Sequence, residues 1–467
     1  MGVRFLIEVP DAKVHRSLRR ALETSLTDRP GDWFASVIEP ADSSEWRLRV
    51  EGPNGWLWTA IVNGDTHQTA DYVQFLLQDA LAPNHAISIT RLQIEGFGPF
   101  ASTTLDLKPL TVLVGANGSG KTSLFELLRA IREFVRREVP PEIVPGWETR
   151  AVYHRPGPDR LGWRLELTSA HLRYSFAANI AGGLGSPAIT REIVKARRHG
   201  DPTVVAIIDR VGAHGTISEG GETGADIRNS KSNQLSLRTY VTPAHWMLFR
   251  LREQIESWTF FSGIRFNDRE LRQPALIEET PSLREDGSNI ASVLNWWQSE
   301  NPKLFEELQV YIRGVIPAFR GLSIRPTGAG RVTLTWDEEG LVNPLTAADL
   351  SDGSLRYLLW LTLALAPNPP ALVCIDEPEA GLHPRTLPTI AGLLKKLSER
   401  TQVLVATHSS YLLTQFEIGD IAVLRKQGGT VQFLRPADSK ALMANLEEFG
   451  VRDLEPMHQT DELEALI

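Results

Sequence analysis

Leu110-Thr111-Val112-Leu113-Val114-Gly115-Ala116-Asn117-Gly118-Ser119-Gly120-Lys121-Thr122 decides the fold of this 467-residue chain. The first five residues read as a buried strand, and the next eight fit the pattern G-x-x-x-x-G-K-[ST]. Apolar residues at helical spacing then run from Lys121 to about Arg137. A phosphate cradle needs this order of strand, glycine loop and helix. Gly115, Gly118 and Gly120 let backbone N–H groups, those of Asn117 and Ser119 among them, wrap an anion at a helix N-terminus, where the dipole also favours negative charge. Lys121 would reach the β- and γ-phosphates of ATP and the Thr122 hydroxyl would ligate Mg2+, with Ser123 beside them in the first helical turn. A glycine-rich turn ahead of an ordinary helix is the bland alternative, and the flanking strand and helix argue against it.

Downstream, Ala371-Leu372-Val373-Cys374-Ile375-Asp376-Glu377 is an apolar strand delivering two carboxylates at its C-terminal end, where open α/β sheets bind ligands. Asp376 would hold Mg2+ through water, and Glu377 would polarise an attacking water as general base. Two exposed carboxylates ending a strand are common, so this segment alone is weak. Cys374 reads as a small buried hydrophobe of the strand. Leu350-Ser351-Asp352-Gly353-Ser354 opens a helix upstream of it, and Ala406-Thr407-His408-Ser409 follows it. Singly, Ser351 is an N-cap and His408 a loop histidine.

In this order and spacing, the segments resemble the ABC-class ATPases: Walker A, a signature at Ser351 and Gly353, Walker B, a D-loop at Ala380-Gly381-Leu382-His383, and a switch histidine at His408. Within that class the chain is similar to the SMC, RecF and OLD-like heads. The closer likeness is carried by Ile94-Glu95-Gly96-Phe97-Gly98-Pro99-Phe100, by Glu285-Asp286-Gly287-Ser288-Asn289-Ile290, and by Asp376-Glu377-Pro378-Glu379-Ala380-Gly381-Leu382-His383-Pro384. It covers about residues 87 to 430. The resemblance implies an α/β, two-lobed P-loop head that dimerises head-to-tail around two ATP molecules. Each nucleotide would lie between Lys121 of one protomer and Ser351 of the other, with His408 contacting the γ-phosphate. These heads place a glutamine some tens of residues after Walker A, but no Gln occurs between Thr122 and Asn233. Either another residue or a later Gln such as Gln234 or Gln254 takes that role.

The rest of the chain frames this head. Residues 1–86 read as a small α+β module with strand, helix, three strands and a helix near 69–81. Residues 87–210 form a first ATPase lobe, and 211–330 a mobile Gly/Ser/Asn-rich loop followed by a short, mostly helical insertion. A second lobe spans 331–435, and an acidic tail 436–467. About 230 residues separate Lys121 from Ser351 without sustained heptads, which excludes a long coiled-coil arm.

The single cysteine rules out a disulfide framework, and no apolar run reaches the ~18 residues of a membrane span. A soluble cytoplasmic protein is expected. The formal net charge of −8 argues against a non-specific nucleic-acid coater, so any polyanion needs a local basic surface. Arg129, Arg132 and Arg136 share one helix face and are the candidates, with a second cluster at Arg191, Lys195, Arg197 and Arg198. A solvated face beside Glu126 and Glu133 is the bland alternative. Residues 1–86 carry 8 Lys+Arg against 12 Asp+Glu, which suits protein docking better than a polyanion. Trp33, Trp46, Trp56 and Trp58 are docking anchors or, preferably, that module's own core. No nuclease pattern accompanies the ATPase motifs.

The sequence thus points to an ATPase whose head dimer senses or clamps nucleic acid and controls a separate effector, as in anti-phage or DNA-maintenance systems. The alternative is a slowly hydrolysing, ATP-bound scaffold that restrains a partner protein.

Overall fold

The computed structural model describes residues 3–439, except 10, 28, 30, 39–44, 54–56, 64–69, 71–72, 75–76, 79–80, 82–86, 145–151, 183–185, 220–223, 243 and 264–267. Among the described residues, those up to 96 and from 130 to 256 form one compact unit, and those from 97 to 129 and from 257 onward form a second. No described helix is long and apolar enough to cross a membrane.

The first unit opens with β1 (Val3–Glu8), α1 (Ala12–Leu26), β2 (Trp33–Ile38), β3 (Glu45–Glu51) and β4 (Leu57–Asn63). Asp11 starts α1 by accepting N–H bonds from Lys13 at 2.7 Å and Val14 at 2.9 Å. The helix carries the chain across so that β1 and β2 pair in parallel, and β3 and β4 continue antiparallel. Trp33 and Trp46 are buried, as a core reading requires. Trp56, the side chain of Trp58, most of the helix expected near 69–81 and nearly all of the acidic tail lie outside the described residues.

The chain continues through β5 (Ser88–Phe97), β6 (Phe100–Asp106), β7 (Leu110–Val114) and α2 (Lys121–Arg136). Then come β8 (Arg160–Thr168), β9 (Leu172–Ala181), β10 (Ala188–Arg198), β11 (Val204–Val211), β12 (His214–Glu219), β13 (Ala225–Ile227), α3 (Ser236–Thr239) and α4 (Trp246–Glu256). In the first unit β5, β8, β9, β10, β11, β12 and β13 pair successively antiparallel. The expected loop at 211–233 is thus partly strand. Gly212 and Ala213 form a two-residue turn between β11 and β12, and Ile217 and Ile227 are buried. Glycine and serine marked the turn and masked the strands it joins. Inside this sheet Glu192 and Arg210, both fully buried, sit 3.6 Å apart, and Glu192 caps α3 through the N–H groups of Ser236 and Leu237.

The second unit holds β14 (Thr259–Ser262), α5 (Asp268–Leu271), β15 (Ala275–Leu276), α6 (Ile290–Glu300), α7 (Pro302–Val315), β16 (Phe319–Gly328), β17 (Arg331–Glu338) and β18 (Leu345–Thr346). It ends with α8 (Asp352–Leu365), β19 (Leu372–Asp376), α9 (Leu387–Ser398), β20 (Gln402–Ala406), α10 (Ser410–Leu413), β21 (Ile421–Gln427) and β22 (Thr430–Leu434). The stretch expected to be helical after 243 is helical at α4, α6 and α7 but yields the edge strand β14 between them. A six-stranded sheet runs β14-β19-β20-β7-β21-β22. All its neighbours are parallel except the final hairpin. Helix α8, buried along ten of its residues, joins one continuous core with this sheet, α6, α7 and α9. That burial fixes the C-terminal edge on which the candidate residues sit.

Candidate nucleotide site

Every residue of β7 is buried, and the strand delivers the phosphate loop from the middle of its sheet. Gly115, Gly118 and Gly120 all hold positive φ, at 146°, 80° and 103°. A Cβ on Gly115 would stand 2.3 Å from the Leu424 carbonyl oxygen, so only glycine fits. Asn117 and Gly118 are exposed at the tip, Ser119 is buried, and Ser123 is half-buried on the first turn of α2. Lys121 is 6% exposed. Its Nζ donates to the carbonyl oxygens of Gly115 at 2.5 Å and Ala116 at 3.2 Å.

The neighbouring strands bring the acids. Thr122 Oγ1 donates to Asp376 Oδ2 at 3.4 Å. Burial, then the charge of Glu377, lifts the Asp376 carboxyl above its ordinary range, while Thr122, Lys121 and His408 pull it back. Burial, then Lys121, holds the His408 imidazole below 6.5. A hydroxyl and a carboxylate this close suit Mg2+, which takes one or two protein oxygens and completes its shell with phosphate and water. Glu377 sits in the left-handed region at φ 52°, a conformation costing ~1–2 kcal/mol without glycine. Its N–H donates to the Ala406 carbonyl at 2.8 Å, tying the end of β19 to that of β20.

Sequence reasoning missed Glu379. Its Oε1 accepts from the Thr407 hydroxyl at 2.7 Å and from the N–H groups of His408 and Ser409 at 3.1 Å each. The loop that carries His408 is therefore hung from the segment after Walker B. A carboxylate three residues past Asp376 was the available signal, but the partners are mostly backbone groups with no pattern of their own.

Ser351 and Gly353 occupy a different place. Ser351 caps α8, its Oγ accepting from Ser354 N–H at 3.1 Å. The cap opens on a cleft of about 300 Å³ whose walls include Gly353, Tyr357, His383 and Arg385, but no phosphate-loop residue. Two arginines steady this half. Arg356 Nη1 donates to the carbonyls of Gly263 at 2.7 Å and Ala380 at 3.0 Å. Arg272 Nη1 donates to those of Ala347, Ala348 and Leu350 at 3.2, 3.1 and 2.6 Å, and its Nη2 pairs with Asp352.

The three arginines of α2 are already engaged. Arg132 is buried at 6% and lies 3.0 Å from Glu133 Oε1, so it does not offer a phosphate contact. Arg136 reaches the same carboxylate at 3.6 Å and donates to the Glu256 carbonyl. Arg129 lies 3.6 Å from Glu285 and 5.1 Å from the Phe260 ring centre. The face expected to be open is instead largely paired, because Glu133 projects among its arginines. Gln234 donates to Glu138, and Gln254 accepts from Ile87 N–H at 3.1 Å, so both side chains serve local bonds.

Residues 225–414 match the family described as "AAA domain, putative AbiEii toxin, Type IV TA system", and residues 91–131 match a second AAA domain family. The ABC multidrug transporter SNQ2 of Candida glabrata is 36% identical over 115 residues, which are 24% of this chain and 8% of the transporter. The phosphate import ATP-binding protein PstB of Mycobacterium intracellulare is 43% identical over 56 residues, 12% of this chain and 19% of PstB. The chain thus spans a fifth or less of either relative. Among solved structures, an Smc head bound to the C-winged helix domain of ScpA aligns at 13% identity over 74% of this chain and 97% of its own, with a TM-score of 0.43. The SMC head domain from Thermotoga maritima aligns at 16% identity over 74% and 98%, with a TM-score of 0.35. The two AAA matches between them take in each nucleotide-site candidate from Gly115 to His408. Residues 91–131 and 225–414 are thus similar to AAA domains.

Proposed function

We propose that this chain binds and hydrolyses ATP within a head-to-tail homodimer, and that nucleic acid sensed or clamped by the dimer governs a separate effector protein. Anti-phage defence or DNA maintenance in the cytoplasm is the setting that suits such a cycle. One observation carries the reading. Lys121 lies close enough to Asp376 and His408 to bias the ionisation of both at the C-terminal edge of the sheet, whereas Ser351 faces a separate cleft. Such a division supports a site completed by a second copy. Lys121 would hold the β- and γ-phosphates, with the glycine-loop amides from Gly115 to Thr122 around them. Thr122 and Asp376 would hold Mg2+, whose charge offsets that of the phosphates. Glu377 would orient and deprotonate the attacking water, and His408 would touch the γ-phosphate. ATP binding only the closed dimer well would drive closure by that difference in affinity.

Glu377→Gln should trap an ATP-bound dimer, visible by size-exclusion chromatography, and abolish phosphate release. Wild-type turnover in that variant would remove Glu377 as the base. ATP hydrolysis should rise with double-stranded DNA at low salt and lose that stimulation at high salt.

The engaged state of Arg129, Arg132 and Arg136 favours a second reading, an ATP-bound scaffold that restrains a partner protein without touching nucleic acid. The net-negative N-terminal module would then be its docking surface. Slow turnover indifferent to DNA is the result that would select it.

A further inference from the structure

The signature turn reads Ser351-Asp352-Gly353, and it therefore sets a carboxylate at the first helical position of α8, beside the serine cap. A helix N-terminus attracts anions through its free N–H groups and dipole. A negative side chain in the same turn satisfies that dipole itself and repels a phosphate. The structure supplies a counterweight. Arg272, just past α5, pairs its Nη2 with Asp352 Oδ1 and turns Nη1 to the carbonyls of Ala347, Ala348 and Leu350, the residues leading into the cap. Its side chain is 25% exposed against 58% for Asp352, so the guanidinium lies beneath the turn while the carboxylate lies at the surface. One planar fork thus holds four oxygens around the entry to α8.

We propose that Arg272 is a positioning residue of the signature. It neutralises Asp352 and fixes the 347–352 turn, so that the N-terminus of α8 can receive the terminal phosphate of ATP held by a second copy of this chain. This rests on the dimer reading above. Arg272 touches no nucleotide on this view, and its effect passes through Asp352 and the backbone ahead of Ser351.

The test compares full-length wild type, Arg272→Met, Arg272→Lys and the double variant Arg272→Met/Asp352→Asn. ATP affinity is read by calorimetry, turnover by phosphate release, and dimerisation by light scattering in the Glu377→Gln background. Arg272→Met should bind ATP within about twofold of wild type yet lose tenfold or more in turnover and in ATP-dependent dimerisation. Adding Asp352→Asn should recover at least about threefold of that loss in both, because the repelling charge is gone although the bonds to the carbonyls of Ala347, Ala348 and Leu350 are not restored. A purely structural arginine would show no such rescue, and its absence would overturn the proposal. So would an Arg272→Met protein that turns over and dimerises like wild type. Arg272→Lys keeps the test decisive should the methionine variant not fold. It retains the charge and should dimerise within about threefold of wild type, and a tenfold loss there would also overturn the role. A wild type that neither dimerises with ATP nor turns it over sinks the dimer reading and this role together. A normal wild type with an indifferent Arg272→Met sinks this role alone.

Discussion

One carboxylate oxygen of Glu379 serves three donors at once, and this makes it the residue on which the His408 loop depends. Glu379→Ala should leave ATP affinity within about threefold of wild type while lowering kcat by roughly tenfold to a hundredfold, the range expected when a catalytic group is misplaced. Steady-state kinetics with parallel calorimetry checks this, and an unchanged kcat would free His408 from Glu379. Burial lifts the Glu379 carboxyl above its ordinary value of 4.5. The folded protein therefore holds that proton more tightly than the unfolded chain does. The stability this confers is complete below about pH 4.5 and is lost as pH rises through the lifted value. Glu379→Gln cannot ionise, so its melting temperature should gain on that of wild type between about pH 5 and pH 8. Parallel melting curves across that range would contradict the direction of the shift.

At the scale of elements, β14 and the turn after β19 are in close contact through glycine. A Cβ on Gly263, the residue just after β14, would stand 2.0 Å from the Glu377 carbonyl oxygen, while Gly263 N–H donates to Asp376 O at 2.8 Å. Gly263→Ala should therefore displace the Walker B turn and destabilise the protein by about 2 kcal/mol or more, measurable by urea unfolding. Wild-type stability would show that β14 can shift without cost. The strand itself was not legible in the sequence. Thr259-Phe260-Phe261-Ser262 is short, and its partner β19 lies more than a hundred residues away, so nothing local marks it. β10 was read as a basic cluster for a different reason. It turns Glu192 inward and leaves Ile193 half-exposed, which inverts the alternation that identifies a strand. By contrast β7, α2, β19 and α8 were legible because a fully buried strand and a capped helix each write their own pattern. The site follows the same division. Lys121, Asp376, Glu377, Ser351 and His408 carry chemistry in their side-chain types, whereas Arg272 and Glu379 act mostly on backbone atoms that any sequence supplies.

At the scale of the molecule, β7 belongs to the second unit, yet its residues come early in the chain. A fragment of residues 257–467 lacks that strand and the phosphate loop. It should not bind a fluorescent ATP analogue alone, and it should regain binding only when co-expressed with residues 1–256. Binding by the isolated fragment would mean that another loop serves the phosphates. The same placement has a consequence during synthesis. Leu110 pairs with Val403, and Val112 with Ile421, so both neighbours of β7 are translated roughly 300 residues after it. At about 5–20 residues per second, an apolar strand destined for complete burial waits on the order of 15–60 s for the partners that cover it. The nascent chain therefore carries an apolar strand uncovered throughout that interval, where it is open to wrong pairing. The candidate nucleotide site therefore assembles late, only once β20 and the His408 segment that follows it have emerged.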